Sequence, residues 1–289
     1  MELFNNISAS SKKLYTHNLK KLNQDQEIKN LNFLKNKENI LEQLESKKPN
    51  TKRTYLISIV SAVKNSENKQ IKKLYEYYYP MLEQLNKELL DNTKKTDKEV
   101  DNWISEEELK EVIENCDAII EEIKTKRKID DKQYDKLLDC LILSLYTKIA
   151  PRRSLDYIEM VVSKPEENQT TNYYYQGKFY FNRFKTAKKY QQQIIDIPPS
   201  LEQIIKLYLK FKKGESNKLL VNVKAVPFKT STDMTNRLNK VFGAKISSSM
   251  LRKFFLTNKY GSIINDLEKD TENMGTSVGT ALNNYIKDD

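Results

Sequence analysis

Three short stretches of the chain carry residue types that can work on a phosphate. The first is Ala150-Pro151-Arg152-Arg153-Ser154-Leu155-Asp156. The second is Ser249-Met250-Leu251-Arg252-Lys253-Phe254-Phe255, and the third runs from Met274-Gly275-Thr276-Ser277 to Tyr285. A guanidinium fork can hold both non-bridging oxygens of a phosphate and stabilise the charge that builds on a five-coordinate phosphorus. A carboxylate one helical turn away can orient such a fork. Asp156 stands three residues after Arg153, with Arg152 as the alternative. A tyrosine hydroxyl held beside two arginines is suited to attack on a phosphodiester, leaving a covalent phosphotyrosyl link. The chain has forty-three lysines and seven arginines, and three of the seven lie in these stretches. Lysine is a poor substitute in bidentate phosphate contact, so arginine at these positions points to that contact. Taken singly, each stretch also fits ordinary helix surface or, for one tyrosine among seventeen, packing.

In this order, the stretches resemble the tyrosine recombinase (integrase) family, and within it the integrase-like proteins of large DNA viruses and virophages. Thr276 to Tyr285 is nine residues and Arg252 to Thr276 is twenty-four, both within the family's pattern. The resemblance covers the chain from about residue 97 onward. It implies that Arg153 and Arg252 bind the scissile phosphate and that Tyr285 forms a 3′-phosphotyrosyl intermediate. It also implies that a lysine in Arg183-Phe184-Lys185-Thr186-Ala187-Lys188-Lys189 protonates the departing 5′ oxygen, with Lys185 the best match and Lys188 the runner-up. Ser249 and Thr276 stand where the family has histidines, and the only histidine is His17. A hydroxyl can hydrogen-bond a phosphate but is no base near neutral pH. The implied activity is site-specific recombination, integrating or resolving a mobile or viral genome, with no cofactor. Two alternatives remain: a type IB topoisomerase or telomere resolvase with the same chemistry, and a relative that binds DNA without cutting it. The implied partners are double-stranded DNA, held between two domains, and further copies of the chain in a dimer or tetramer. Four residues follow Tyr285, so either oligomer contacts lie outside an exchanged C-terminal helix or the chain is truncated.

The elements that must position these residues are mostly helices. There is no glycine before Gly177, and the first 160 residues are rich in Leu, Ile, Lys and Glu at helical spacing. Helices are expected over 10–22 (capped by Ser10 or Ser11), 30–44, 50–63 and 71–90, the last as one helix or as two divided at Pro80. Ser105 and Glu108 form a capping box, followed by helices over 109–124 and 131–148. Asn172–Tyr175 and Lys178–Phe181 read as a hairpin around Gln176-Gly177, with a further strand over 193–197. Helices over 201–212, 231–241, 248–258 and 282–287 follow. The expected fold is mainly α with a small β-sheet. It comprises a helical core-binding-like domain over 1–90, a polar linker over 91–97, and an α+β catalytic domain over 98–289.

Net charge is +10, distributed as +6 over residues 1–100, −5 over 101–150 and +9 over 151–289. Two basic segments flanking an acidic one favour a polyanionic partner; the lysine excess itself also fits an AT-rich coding genome. Candidate phosphate contacts are Lys52, Arg53, Lys64, Arg152, Lys188, Lys189, Arg237 and Lys253, giving salt-dependent affinity blind to sequence. Tyr77-Tyr78-Tyr79 reads as helix packing. No apolar run is long enough to span a membrane, and the start lacks the basic and apolar regions of a secretory leader. With two cysteines and no Cys/His set at ligand spacing, neither disulfides nor zinc are expected, and an intracellular setting is.

Overall fold

The computed structural model describes residues 3–4, 7–64, 66–91, 95–166 and 170–287. Residues 92–94 of the expected linker lie outside the described residues. The chain divides into two compact units, Met1–Lys95 and Thr96–Asp289. The fold is mainly helical with one small mixed sheet.

In the first unit, α1 (Ala9–Leu22) begins earlier than expected, because the Ser8 side chain accepts from the Ser11 amide and caps it. The helix expected over 30–44 is two elements. Asn32–Lys35 is a 3-10 turn, and α2 (Lys37–Glu45) starts anew behind Asn36, whose side chain accepts from the Asn39 amide. Next come α3 (Pro49–Lys64), α4 (Lys69–Lys72) and α5 (Leu74–Asp91). The break falls at Lys73, and Pro80 lies inside α5, where its missing N–H costs the helix one rung. Leu19, Leu34, Ile40, Leu56, Ile59 and Tyr78 are fully buried in this unit's own core. The Tyr78 hydroxyl donates to Leu34 O at 2.8 Å and Tyr79 stacks on Tyr75, so the tyrosine run serves packing.

The second unit opens with α6 (Asp97–Asp101) and α7 (Glu106–Lys124), each started by a capping box, Thr96 with Glu99 and Ser105 with Glu108. Its central element is α8 (Asp131–Thr147), which is buried continuously from Leu137 to Tyr146. The short α9 (Ser154–Ile158) follows, then β1 (Val161–Val162), β2 (Tyr173–Tyr175) and β3 (Lys178–Phe181). The small α10 (Ala187–Tyr190) lies in the connection to β4 (Gln193–Asp196). Strand order is β1-β2-β3-β4, with β1 parallel to β2 and the other pairs antiparallel. Gln176 and Gly177 both have positive φ, as a two-residue hairpin turn with the twist of its strands requires. Then come α11 (Pro199–Phe211), α12 (Ser231–Phe242) and α13 (Ser248–Asn273).

Helix α13 departs most from expectation, running on to Asn273 instead of ending near Asn258. No proline or cap intervenes, and a lone Gly261 costs a helix only about 1 kcal/mol. Its first turns are anchored. Leu251 and Phe254 are buried, Trp103 packs against Phe254 with ring centroids 6.0 Å apart, and Asn258 donates to Glu106 at 3.0 Å. Beyond Asn258, Tyr260, Ile263 and Ile264 are exposed. The helix ends at Gly275, in left-handed conformation at φ +66. The Thr276 amide donates to Thr271 O and the Gly275 amide to Glu272 O, the paired bonds of a Schellman stop. Ser277 caps α14 (Val278–Thr280), which leads into a single wide turn over Ala281–Tyr285 and packs against α13. Among the described residues, no helix is long and apolar enough to cross a membrane.

Candidate functional site

The start of α9 and the start of α13, about a hundred residues apart in sequence, meet in the second unit. Ser154 Oγ donates to Ser248 Oγ at 2.9 Å, and the buried Tyr146 hydroxyl lies 3.2 Å from Ser154 Oγ. Burial pushes the Tyr146 hydroxyl up to about 12, against the opposing effect of its hydrogen bonding with Ser154 and Ser248. It therefore stays protonated and serves as a fixed donor.

Around this seam, the charges of Arg152, Arg153 and Arg252 all act on one buried carboxylate, that of Asp156. Burial raises the Asp156 pKa, and the three guanidinium groups oppose that rise without cancelling it. The carboxylate is hydrogen-bonded to Arg152, not to Arg153 as the sequence spacing suggested. Arg152 Nε donates to Asp156 Oδ2 at 3.0 Å and its Nη1 donates to Gln193 on β4 at 2.7 Å. The same guanidinium lies over the Phe181 ring at 3.8 Å and near the Phe184 ring at 4.9 Å. With its side chain 14 % exposed, Arg152 is a fixed part of the wall. Arg153 is the N-cap of α9 and half-buried, as is Arg252. Among the described residues, neither side chain has a hydrogen-bond or ion-pair partner. Their donors remain available to an anion, while Arg152 and Asp156 hold the cluster in shape.

Lys185 is exposed in the β3–β4 connection, one residue beyond the Phe184 ring that packs near Arg152. Asn172 fixes this connection. It is fully buried, donates to Asp156 O at 2.9 Å and Arg183 O at 2.8 Å, and accepts from the Asn182 and Arg183 amides. One side chain thus ties α9 to the loop that carries Lys185, with all its hydrogen-bonding capacity used. Below it, Tyr157 packs edge-on against Tyr146, Phe179 and Phe181, a rigid aromatic floor.

The other expected residues lie elsewhere. Ser249 is exposed and lines a cleft of about 420 Å³ with Glu99, Thr235, Asn239 and Lys253. The hydroxyl joined to the first stretch is that of Ser248, one residue earlier and one helical turn before Arg252. Thr276 belongs to the Schellman stop of α13. Tyr285 is 60 % exposed, in the last described turn. The rise from Arg252 to Asn273 is about 32 Å, and Val278–Tyr285 laid back along the helix recovers about 12 Å of it. Within one chain, therefore, the arginines and Tyr285 are not brought together, and no hydrogen bond or ring contact joins them among the described residues.

With Arg152, three expected phosphate contacts are committed to carboxylates. Arg237, 16 % exposed, bonds to Asp135 at 2.6 Å and Asp139 at 3.0 Å, and Lys240 bonds to the same pair, pinning α12 to α8. Burial works against the charge on both Asp135 and Asp139. Lys240 and Arg237 outweigh it at Asp135, while the deeper Asp139 stays raised. Lys253 pairs with Glu99. Arg53 donates to Asn86. Lys52, Lys64, Lys188 and Lys189 have no carboxylate partner among the described residues.

Gln193, Asn172, Tyr146 and Ser248 were not legible as site residues. Only Ser248 had a local signal, its position four residues before Arg252. A cleft of about 630 Å³ between α7 and α11, lined by Lys124, Lys148, Lys206 and Lys210 over Ile204 and Leu207, holds none of the expected residues. Among the described residues, no group of acidic, histidine or cysteine side chains is placed to hold a metal. The chain matches no family model, no curated protein and no solved structure.

Proposed function

We propose that the protein is a DNA strand transferase of the tyrosine recombinase type, acting on double-stranded DNA inside the cell. The observation that carries this reading is that the charges of three of the seven arginines, from two distant stretches, act on one buried carboxylate, with the Lys185 loop tied alongside. Arg153 and Arg252 would grip the non-bridging oxygens of the scissile phosphate, and Arg152 and Asp156 would hold them in place. The Tyr285 hydroxyl attacks phosphorus, the bond to the 5′ oxygen breaks, and Lys185 supplies the proton that the leaving oxygen takes. Reversal by a second 5′ hydroxyl rejoins the strand. Under this reading the second unit is the catalytic domain, and Met1–Lys95 is a DNA-holding domain using Lys52, Arg53 and Lys64.

Covalent trapping tests it. The full chain is mixed with labelled, nicked duplex fragments of its own source genome, denatured, and examined for a protein–DNA adduct. An adduct in wild type and none in Tyr285→Phe is expected, with DNA binding equal in both. Equal capture by the mutant sinks the assignment of Tyr285. A second reading, a relative that binds DNA without cutting it, is favoured by the distance between Tyr285 and the arginines. It predicts clear binding and no adduct on any fragment.

A further inference from the structure

The free half of α13 has a surface that its own unit leaves uncovered. Leu256, Tyr260, Ile263 and Leu267 follow one another at spacings of four, three and four, so they form one stripe along the helix. Ile263 is 60 % exposed and Leu256, Tyr260 and Ile264 are exposed with it. Leu251 and Phe254, which seat the helix in the core, lie on the opposite face. Leu256, Tyr260 and Ile263 therefore point away from the unit, open to another helix, and the half-buried Leu267 continues their line.

The charges of α13 say what that helix is. Up to Tyr260 it carries Arg252, Lys253 and Lys259 and no acid; after Gly261 it carries Asp266, Glu268, Asp270 and Glu272 against Lys269 alone. Its first turn has no acid and its last turn no base. Both ends thus run against the helix's own dipole, which favours acids at the start and bases at the end. A second copy lying antiparallel corrects this, setting the basic half of each helix against the acidic half of the other. Layering Tyr260 on the other copy's Ile263, and Leu256 on its Leu267, closes a two-fold seam. The same register places Lys259 beside the other copy's Asp266 twice, once on each side of the two-fold axis.

This pairing also closes the gap left by the single chain. An antiparallel partner brings the end of its α13, and the segment after it, to the start of this one, where Arg252 stands. We propose that two copies pair through antiparallel α13 helices and that each supplies its Tyr285 to the arginine cluster of the other. The delivery of Tyr285 rests on the strand-transfer reading above; the pairing does not.

Two measurements on the full chain separate these. The first is sedimentation, with and without duplex DNA. Wild type is expected to be a dimer and Ile263→Asp a monomer of unchanged helix content. Lys259→Asp should weaken the dimer by roughly tenfold, and Lys259→Asp with Asp266→Lys should restore it. A monomeric wild type in both conditions, or a dimer indifferent to these changes, overturns the pairing. The second is covalent capture by mixed variants. Arg252→Ala and Tyr285→Phe are each expected to form no adduct. Together they should give about a quarter of the wild-type yield, since half the dimers are mixed and each mixed dimer holds one complete site. The adduct must be on the Arg252→Ala chain, which alone has the hydroxyl. Capture by wild type but not by the mixture overturns delivery between copies. A wild-type dimer broken by Ile263→Asp with no adduct from any protein overturns the strand-transfer reading and leaves the pairing standing.

Discussion

Under the strand-transfer reading, the neighbours Arg152 and Arg153 have opposite duties. Arg152 is the hydrogen-bonded partner of a buried carboxylate, so its removal takes from Asp156 the one side-chain hydrogen bond it accepts among the described residues. Arg152→Ala is expected to destabilise the fold by about 3 kcal/mol, seen as a lower denaturant midpoint. Arg153→Ala leaves Asp156 its partner, so the midpoint should hold within about 0.5 kcal/mol while capture of DNA falls by roughly 10²–10³. Equal midpoints for the two variants would show that the roles are not divided this way. The sequence marked both arginines but could not divide the work. An acid three residues after one arginine is four after the other, and both spacings place it one turn away. Ser248 and Ser249 pose the same problem. Adjacent positions on a helix differ by about 100°, and only the packing of α13 decides which hydroxyl faces the seam.

Among elements, α6 and α13 are joined by a contact that should respond to acid. The Lys253 ammonium, with the Thr96 amide and hydroxyl, holds the Glu99 carboxyl down at about 2, below its ordinary 4.5. A depressed carboxyl gives stability that is whole above the unfolded value. Its contribution is therefore complete above about pH 4.5 and is lost as pH falls toward about 2. Melting of wild type and Glu99→Gln across this window should show the wild type's advantage shrinking with acid; an advantage constant with pH would mean that the ion pair contributes nothing. Elements were legible where local chemistry was decisive: the capping box at Ser105, the Gln176-Gly177 hairpin, the strands of β-branched and aromatic residues. The continuation of α13 was not, because residues 259–273 lack the wide apolar face that a core-packed helix shows. Nor was β1, two residues whose pairing with β2 is set by the chain on either side.

For the molecule as a whole, the net charge of +10 matters less than where it is free. Arg237, Lys240 and Lys253 are spent on carboxylates, whereas Lys188 and Lys189 stand exposed in the β3–β4 connection with no carboxylate partner among the described residues. Affinity for generic duplex should fall steeply with salt. Replacing Lys188 or Lys189 with alanine should reduce the slope of log affinity against log salt by about 1 for each phosphate no longer neutralised, whereas a Lys253→Ala slope like that of wild type is expected. Slopes unchanged in the Lys188 and Lys189 variants would remove that connection from the DNA surface. The division into two units had a visible sign in the polar stretch near residue 95. The placement of Tyr285 had none, because spacing along a chain does not reveal that one unbroken helix fills the interval. That helix is seated on Phe254 against Trp103, the only tryptophan in 289 residues. Excited at the red edge, the protein therefore emits from a single indole at the base of α13, and Met1–Lys95 is dark. Its colour and quenching report, without a label, on the footing of the helix that separates the arginines from the tyrosine.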